Sequence, residues 1–203
     1  MKSLLQLGLV VLFVMAAQPA QARSLTPVEG LEALRRSFAG LQDFTAELTQ
    51  EKQLSIMKKK LVMQGMIRFK KPDRFYLELA PPYSGKVLLK DTVLEQQLGA
   101  QGERQRIVLP PEQGLSRWFA TVSRPITSIP EGMEVRAEQN GSLTSVVIRP
   151  AKGGQLKELT LVLQDDGTVR KLVLEERAGD RTVMTFRKTR RNIGLTEADF
   201  RLE

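Results

Sequence analysis

From Phe44 onward apolar and polar side chains alternate with a period of two, and most of these runs stop at turn chemistry. No other feature restricts the fold as much. In a strand, successive side chains point to opposite faces, so each run needs one buried and one wetted face. Phe44, Ala46 and Leu48 alternate with Thr45, Glu47 and Thr49. Leu61, Met63, Gly65, Ile67 and Phe69 repeat the pattern, and Phe75, Leu77 and Leu79 alternate with Arg74, Tyr76 and Glu78. Lys71-Pro72-Asp73 and Pro81-Pro82 bound these runs. Shorter strands are expected at Lys86–Lys90, Val93–Leu98, Arg104–Leu109, Glu134–Gln139 and Leu143–Arg149, the last two joined by an Asn140-Gly141 hairpin. Leu159, Leu161 and Leu163 run into Asp165-Asp166-Gly167, Val169–Arg177 returns, and Ala178-Gly179-Asp180 leads into Arg181–Thr189. A short segment from Asn192 to Leu202 closes the chain.

Two stretches change the period to that of a helix. Thr26-Pro27-Val28-Glu29 combines a cap, a first-turn proline and a capping-box glutamate. Val28, Leu31, Leu34, Phe38 and Leu41 then form one apolar stripe, with Gly40 and Asp43 at the exit. At about 112–122, Leu115, Trp118, Phe119 and Val122 make a second stripe holding the one tryptophan. The expectation is a mainly β, α+β fold of around ten strands and two or three short helices. An antiparallel sheet curls around a helical cover, with one interior and one domain.

The start of the chain reads as a leader. Lys2 precedes an apolar run from Leu4 to Ala17, and Ala20-Gln21-Ala22 offers a small-x-small cleavage site. The run is shorter than the roughly 18 residues a membrane-spanning helix needs. Residues 1–22 are therefore expected to be a cleaved signal peptide, and 23–203 the domain. Removing them lowers the net charge from +8 to about +7. With no cysteine for a lipid anchor, the exported chain is expected to be unanchored.

The chain has neither cysteine nor histidine, so thiol nucleophiles, zinc fingers, iron–sulfur centres and Ser-His-Asp triads are excluded. It carries no Gly-x-Ser-x-Gly, phosphate-cradling loop or metal-ligand cluster. Asp165-Asp166 reads as a turn rather than a carboxylate pair. No enzyme, metal or cofactor is expected. Lys58-Lys59-Lys60, Lys70-Lys71 and Arg187-Lys188 with Arg190-Arg191 are basic clusters, but no aromatic residues interleave them for base stacking, and nucleic acid is not an expected partner. They read as solvated hairpin ends or as steering toward anionic membranes or acidic partners. Met57, Met63, Met66 and Met184 sit among the strands. Flexible thioethers suit irregular apolar ligands, yet alone they read as ordinary core packing.

Phe44-x-Ala46-x-x-x-Gln50 follows the first helix, and Gly65-Met66-Ile67-Arg68-Phe69-Lys70-Lys71-Pro72-Asp73-Arg74-Phe75 comes next with a following proline. Leu156-Lys157-Glu158-Leu159-Thr160-Leu161, Asp166-Gly167-Thr168, Glu176, Phe186, Asn192, Leu195 and Phe200 continue the series. Together these segments resemble the outer-membrane lipoprotein carrier (LolA) family. The resemblance implies a single curled antiparallel sheet, an unclosed half-barrel covered by short lid helices. It implies a periplasmic, monomeric shuttle that takes acylated lipoproteins from an inner-membrane ABC release complex to an outer-membrane receptor. On this reading Ile67, Phe69, Phe75, Leu77 and Leu79 line an acyl cavity, and Leu115, Trp118 and Phe119 belong to the lid. The family's lid-holding arginine before the proline is Lys71 here, and lysine lacks the planar fork of arginine. Two other roles fit the same resemblance. One is a single-domain lipid or lipoprotein sensor acting on an anti-sigma factor, and the other is a carrier of free lipids or glycolipids.

Overall fold

A computed structural model describes residues 22–56, 59–99, 102–150 and 154–202, with the side chains of Trp118, Thr121 and Val122 outside the described set. The capping box forms as expected. Glu29 Oε2 accepts from the Thr26 amide at 2.7 Å, and Thr26 Oγ1 accepts from the Glu29 amide at 3.2 Å. They start α1 (Pro27–Ala39), which follows a short strand, β1 (Arg23–Leu25). Then come β2 (Asp43–Leu54), β3 (Lys59–Lys70), β4 (Arg74–Leu79), β5 (Gly85–Lys90), β6 (Val93–Leu98) and β7 (Arg104–Val108). A 3-10 turn at Pro111–Gln113 leads into α2 (Leu115–Val122). The second half holds β8 (Met133–Asn140), β9 (Leu143–Pro150), β10 (Leu156–Gln164), β11 (Val169–Glu176) and β12 (Arg181–Arg191).

Among the described residues, twelve strands form one antiparallel sheet in the order β1-β8-β9-β10-β11-β12-β2-β3-β4-β5-β6-β7. β1 and β7 are its edges and the barrel stays unclosed. Pairing fixes the faces. Phe44, Ala46 and Leu48 stand beside Phe69, Ile67 and Gly65, which stand beside Phe75, Leu77 and Leu79. These share the concave face with Leu161, Leu172, Met184 and Phe186. Gly65 is required there, since a Cβ would run into the Glu78 carbonyl of the neighbouring strand. α1 lies over β8 and β9, with Leu31 packed on Val135 and Val146.

Three expectations need correction. The strand total is twelve rather than around ten, because residues 23–25 are too few to show a period. The β8–β9 turn is Gly141-Ser142, not Asn140-Gly141, because Asn140 is still paired, with Leu143. There are also two apolar layers. On the convex face Tyr76 and Leu88 pack against Leu195, Phe200 and Leu202 of the closing segment, with Phe200 fully buried. Met66 is on this face too, opposite Glu47 and Glu78, while Met63 and Met184 face the concavity; Met57 lies outside the described residues.

Polar contacts hold the closing segment in place. The buried Asp43 carboxylate accepts from the amides of Ile193 (2.8 Å) and Gly194 (3.1 Å). Lys70 Nζ donates to Leu195 O (2.6 Å), Arg68 Nη1 to Asp199 O (3.2 Å), and Arg74 pairs with Glu197 at 3.1 Å.

Candidate functional site

The concave face carries a cavity of about 170 Å³ beneath the C-terminal turn of α1. Phe38, Phe44, Ile67, Leu161, Leu172 and Phe186 supply its apolar wall. The α1 stripe and the period-two strands place them there, because each element turns its apolar side to the same concavity. Phe69 and Phe119 stack at 4.6 Å between centroids, and Phe38 meets Phe119 edge-on at 6.2 Å. Phe38 of α1 and Leu41 just after it, with Leu115 and Phe119 of α2, form the roof at one end, resting on Phe69 of the sheet.

Hydrogen bonds from three side chains secure that roof. Lys71, in the β3–β4 turn, donates from Nζ to Phe38 O at 2.6 Å and reaches Ala39 O at 3.5 Å, so it satisfies carbonyls that α1 leaves open. Its Nζ is also 5.8 Å from the Phe119 ring centroid. Burial pushes the Lys71 ammonium below the ordinary lysine range. Arg191 donates to Ser37 O (2.7 Å) and Asp166 O (2.5 Å), joining the end of α1 to the β10–β11 turn. That approach needs Gly167, at φ +77°, where a Cβ would press on the Ser37 backbone. Asp91 Oδ1 accepts from the Ser116 amide (3.0 Å) and hydroxyl (2.7 Å) and fixes the start of α2. The Ser116 hydroxyl, then its amide, hold the Asp91 carboxyl below the usual range.

One polar atom in this wall is unexplained by packing. Lys188 and Thr189 stand where the partner strand has only Ala46, between the pairs Arg187–Glu47 and Arg190–Thr45. Lys188 adopts φ +48° in this bulge. Thr189 lines the cavity, and among the described residues its hydroxyl is the one buried side-chain oxygen or nitrogen without a partner.

Of the residues singled out from sequence, Ile67 lines the roofed cavity, and Phe69, on the same face of β3, packs with Phe119 and Leu115 next to it. Phe75 and Leu77 pack beside it, half-buried, and Leu79 continues that face away from the roof. Lys71 holds α1 rather than the helix carrying Phe119. Trp118 lies on α2, and its side chain lies outside the described residues. Phe38, Phe44, Leu161, Leu172, Phe186, Thr189 and Arg191 were not singled out as site residues. Phe38, Phe44 and Leu161 carried a periodic signal, but a period marks a face and not a place along it.

The floor extends beyond the roof through Val87, Leu89 and Leu94, half-buried, to Leu98, 63% exposed. A separate cleft of about 390 Å³ between β1, α1 and the β10–β11 turn is lined by Arg23, Glu29, Arg36 and Asp166, too polar for a hydrocarbon. Among the described residues no three carboxylates gather into a metal site, and no helix is long and apolar enough to cross a membrane.

An open antiparallel sheet with an apolar concave face, roofed at one end by two helices, is a half-barrel built around an internal apolar surface. Residues 39–203 match the family described as outer membrane lipoprotein carrier protein LolA. The chain belongs to that family. Among curated proteins none matches. The complex structure of Pseudomonas aeruginosa MucA/MucB is similar at 13% identity and TM-score 0.53, over 88% of this chain and 62% of that one. An uncharacterized conserved protein from Thermus thermophilus is similar at 11% identity and TM-score 0.51, over 85% of this chain and 90% of that one. At these identities the two structures show a shared fold.

Proposed function

We propose that this chain is an exported, periplasmic carrier that shields the acyl chains of lipoproteins on its concave face. It accepts them from an inner-membrane release complex and yields them to an outer-membrane receptor. The carrying observation is the apolar cavity under a roof held by hydrogen bonds, continuous with an open apolar floor. An acyl chain exposed to water costs about 0.8 kcal/mol per CH₂, so a lipidated protein needs such a surface to leave a membrane. The roofed cavity is close to the roughly 150 Å³ that accepts a benzene-sized group. A full acyl chain therefore needs the roof to lift, and a roof fastened by Lys71 and Asp91 lifts without breaking the sheet. Family membership supports the same reading.

Titration with a fluorescent fatty-acid probe, displaced by a triacylated lipopeptide, tests it. The wild type is expected to bind both, and Phe119→Asp or Phe75→Asp to lose binding while keeping its β-sheet circular dichroism. Normal probe uptake by both variants contradicts the cavity assignment.

The half-barrel shared with MucB, solved with MucA, also fits a regulator that restrains an anti-sigma factor. Recovery of a stable complex with a membrane-bound anti-sigma factor, and none with a release complex, distinguishes that reading. Recovery of free lipid or glycolipid in place of lipoprotein marks the third.

A further inference from the structure

The β2–β3 hairpin is much longer than its neighbour requires. β2 and β3 pair without interruption from Asp43–Lys70 to Leu54–Lys59, but β4 follows β3 only to the pair Leu79–Gly65. β3 therefore runs on from Gln64 to Lys59 beyond the end of β4, about 20 Å of strand at roughly 3.3 Å per residue. On the other flank β12 supports β2 out to the pair Arg181–Gln53. The hairpin end is also clamped. The Ser55 amide donates to Asp180 Oδ1 at 2.9 Å, and the Ser55 hydroxyl lies 2.9 Å from both Ala178 O and Asp180 Oδ1.

The next residue, Ile56, is 94% exposed, more than any other large apolar side chain among the described residues. Single exposed apolar residues are common and carry no message by themselves. Here the side chain follows the clamped Ser55 at the end of a hairpin whose β3 side runs free of β4, with Lys52 and Lys59 at the ends of the two strands. The acids at this end are already engaged. Glu51 pairs with Lys60 at 2.5 Å, Asp180 accepts from Ser55, and Glu175 lies between Lys157 and Arg181. Val62, 48% exposed, adds apolar surface on the convex side.

We propose that the β2–β3 hairpin end is a membrane-docking finger for an anionic bilayer. Ile56 enters the interface between headgroups and acyl chains, and Lys52 and Lys59 meet the headgroup phosphates. Each lysine near an anionic surface raises partitioning about fivefold, and one isoleucine side chain about tenfold or more. The sum is weak, reversible attachment, as a shuttling protein needs. Docking stands on the hairpin alone. Its use rests on the carrier reading: Leu61 and Met63 continue the concave row of Ile67 and Phe69 toward the finger, an apolar track from cavity to bilayer.

The test is flotation of protein purified from the periplasmic fraction with vesicles of phosphatidylethanolamine and phosphatidylglycerol, against phosphatidylcholine alone. The wild type is expected to float with the anionic vesicles and not with the zwitterionic ones, and less so as salt rises. Ile56→Asp and the double variant Lys52→Glu/Lys59→Glu are each expected to lower partitioning at least tenfold at unchanged Tm. A wild type that ignores anionic vesicles, or variants that float like it, overturns the proposal. Fatty-acid probe binding, measured on the same proteins without vesicles, separates the two readings. Vesicle binding without probe uptake removes the carrier and leaves the docking. Probe uptake without vesicle binding removes the docking alone.

Discussion

The Lys71 ammonium lies 2.6 Å from the carbonyl oxygen of Phe38, and 5.8 Å from the ring centroid of Phe119. One side chain from a strand turn thus touches both roof helices. Replacing it removes a donor without changing the sheet. Lys71→Met is expected to weaken the closed roof by about 1 kcal/mol, which raises the open population about fivefold. Stopped-flow mixing with the fatty-acid probe should show association faster by that factor, and Lys71→Arg should restore the wild-type rate. An unchanged rate in Lys71→Met contradicts this role.

Asp91 gives the roof a pH dependence of known sign. Its folded pKa lies below the ordinary value of 3.8. A carboxylate lowered in this way stabilises the fold above its unfolded value, and the contribution fades as pH falls through the lowered one. At neutral pH Asp91→Asn, which keeps the acceptor oxygen and removes its charge, is therefore expected to loosen α2 by about 0.5–1 kcal/mol, the difference between a charged and a neutral acceptor. As pH falls through the lowered value the two proteins should converge. Fluorescence of Trp118, the single tryptophan and a residue of α2, monitors it. A difference that persists in acid rules out the charge on Asp91 as the cause.

Thr189 predicts a gain. Its buried hydroxyl has no partner, and an unsatisfied buried polar group costs about 1–3 kcal/mol. Thr189→Val keeps the shape and deletes the orphan, so thermal unfolding should shift upward by about 2–4 °C per kcal/mol recovered. A lower Tm means that the hydroxyl has found a partner.

Phe200 separates stability from binding. It is fully buried on the convex face, across the sheet from the cavity. Phe200→Ala is expected to cost about 3–5 kcal/mol in urea unfolding, while the folded fraction binds the fatty-acid probe with wild-type affinity. A parallel loss of affinity would couple the two faces.

Much of this arrangement was legible in the alternation. Period two assigned Phe44, Ile67 and Phe75 to one face, and the Thr26–Glu29 box placed the first helix. The curl of the sheet was not legible, and it decides which part of the concave face is roofed. Ile67 and Leu79 share a face and a pattern, yet only Ile67 lines the roofed cavity. Leu161, Leu172 and Phe186 come from distant strands and reach the cavity only through the β12–β2 pairing. The second apolar layer was hidden for a related reason. Tyr76 sits on the face that the pattern marks as wetted, and with its neighbour Leu88 it is buried by Leu195 and Phe200, which arrive from the far end of the chain without a period of their own. Thr189 left no signal, because a bulge changes the face without changing the composition.

The most direct measurement is native mass spectrometry of protein purified gently from the periplasm, with identification of whatever accompanies it. A one-to-one complex with a triacylated protein is expected for the wild type, and none for Phe119→Asp. An empty protein that also takes up no fatty-acid probe contradicts the carrier reading, and leaves the concave apolar face as packing alone.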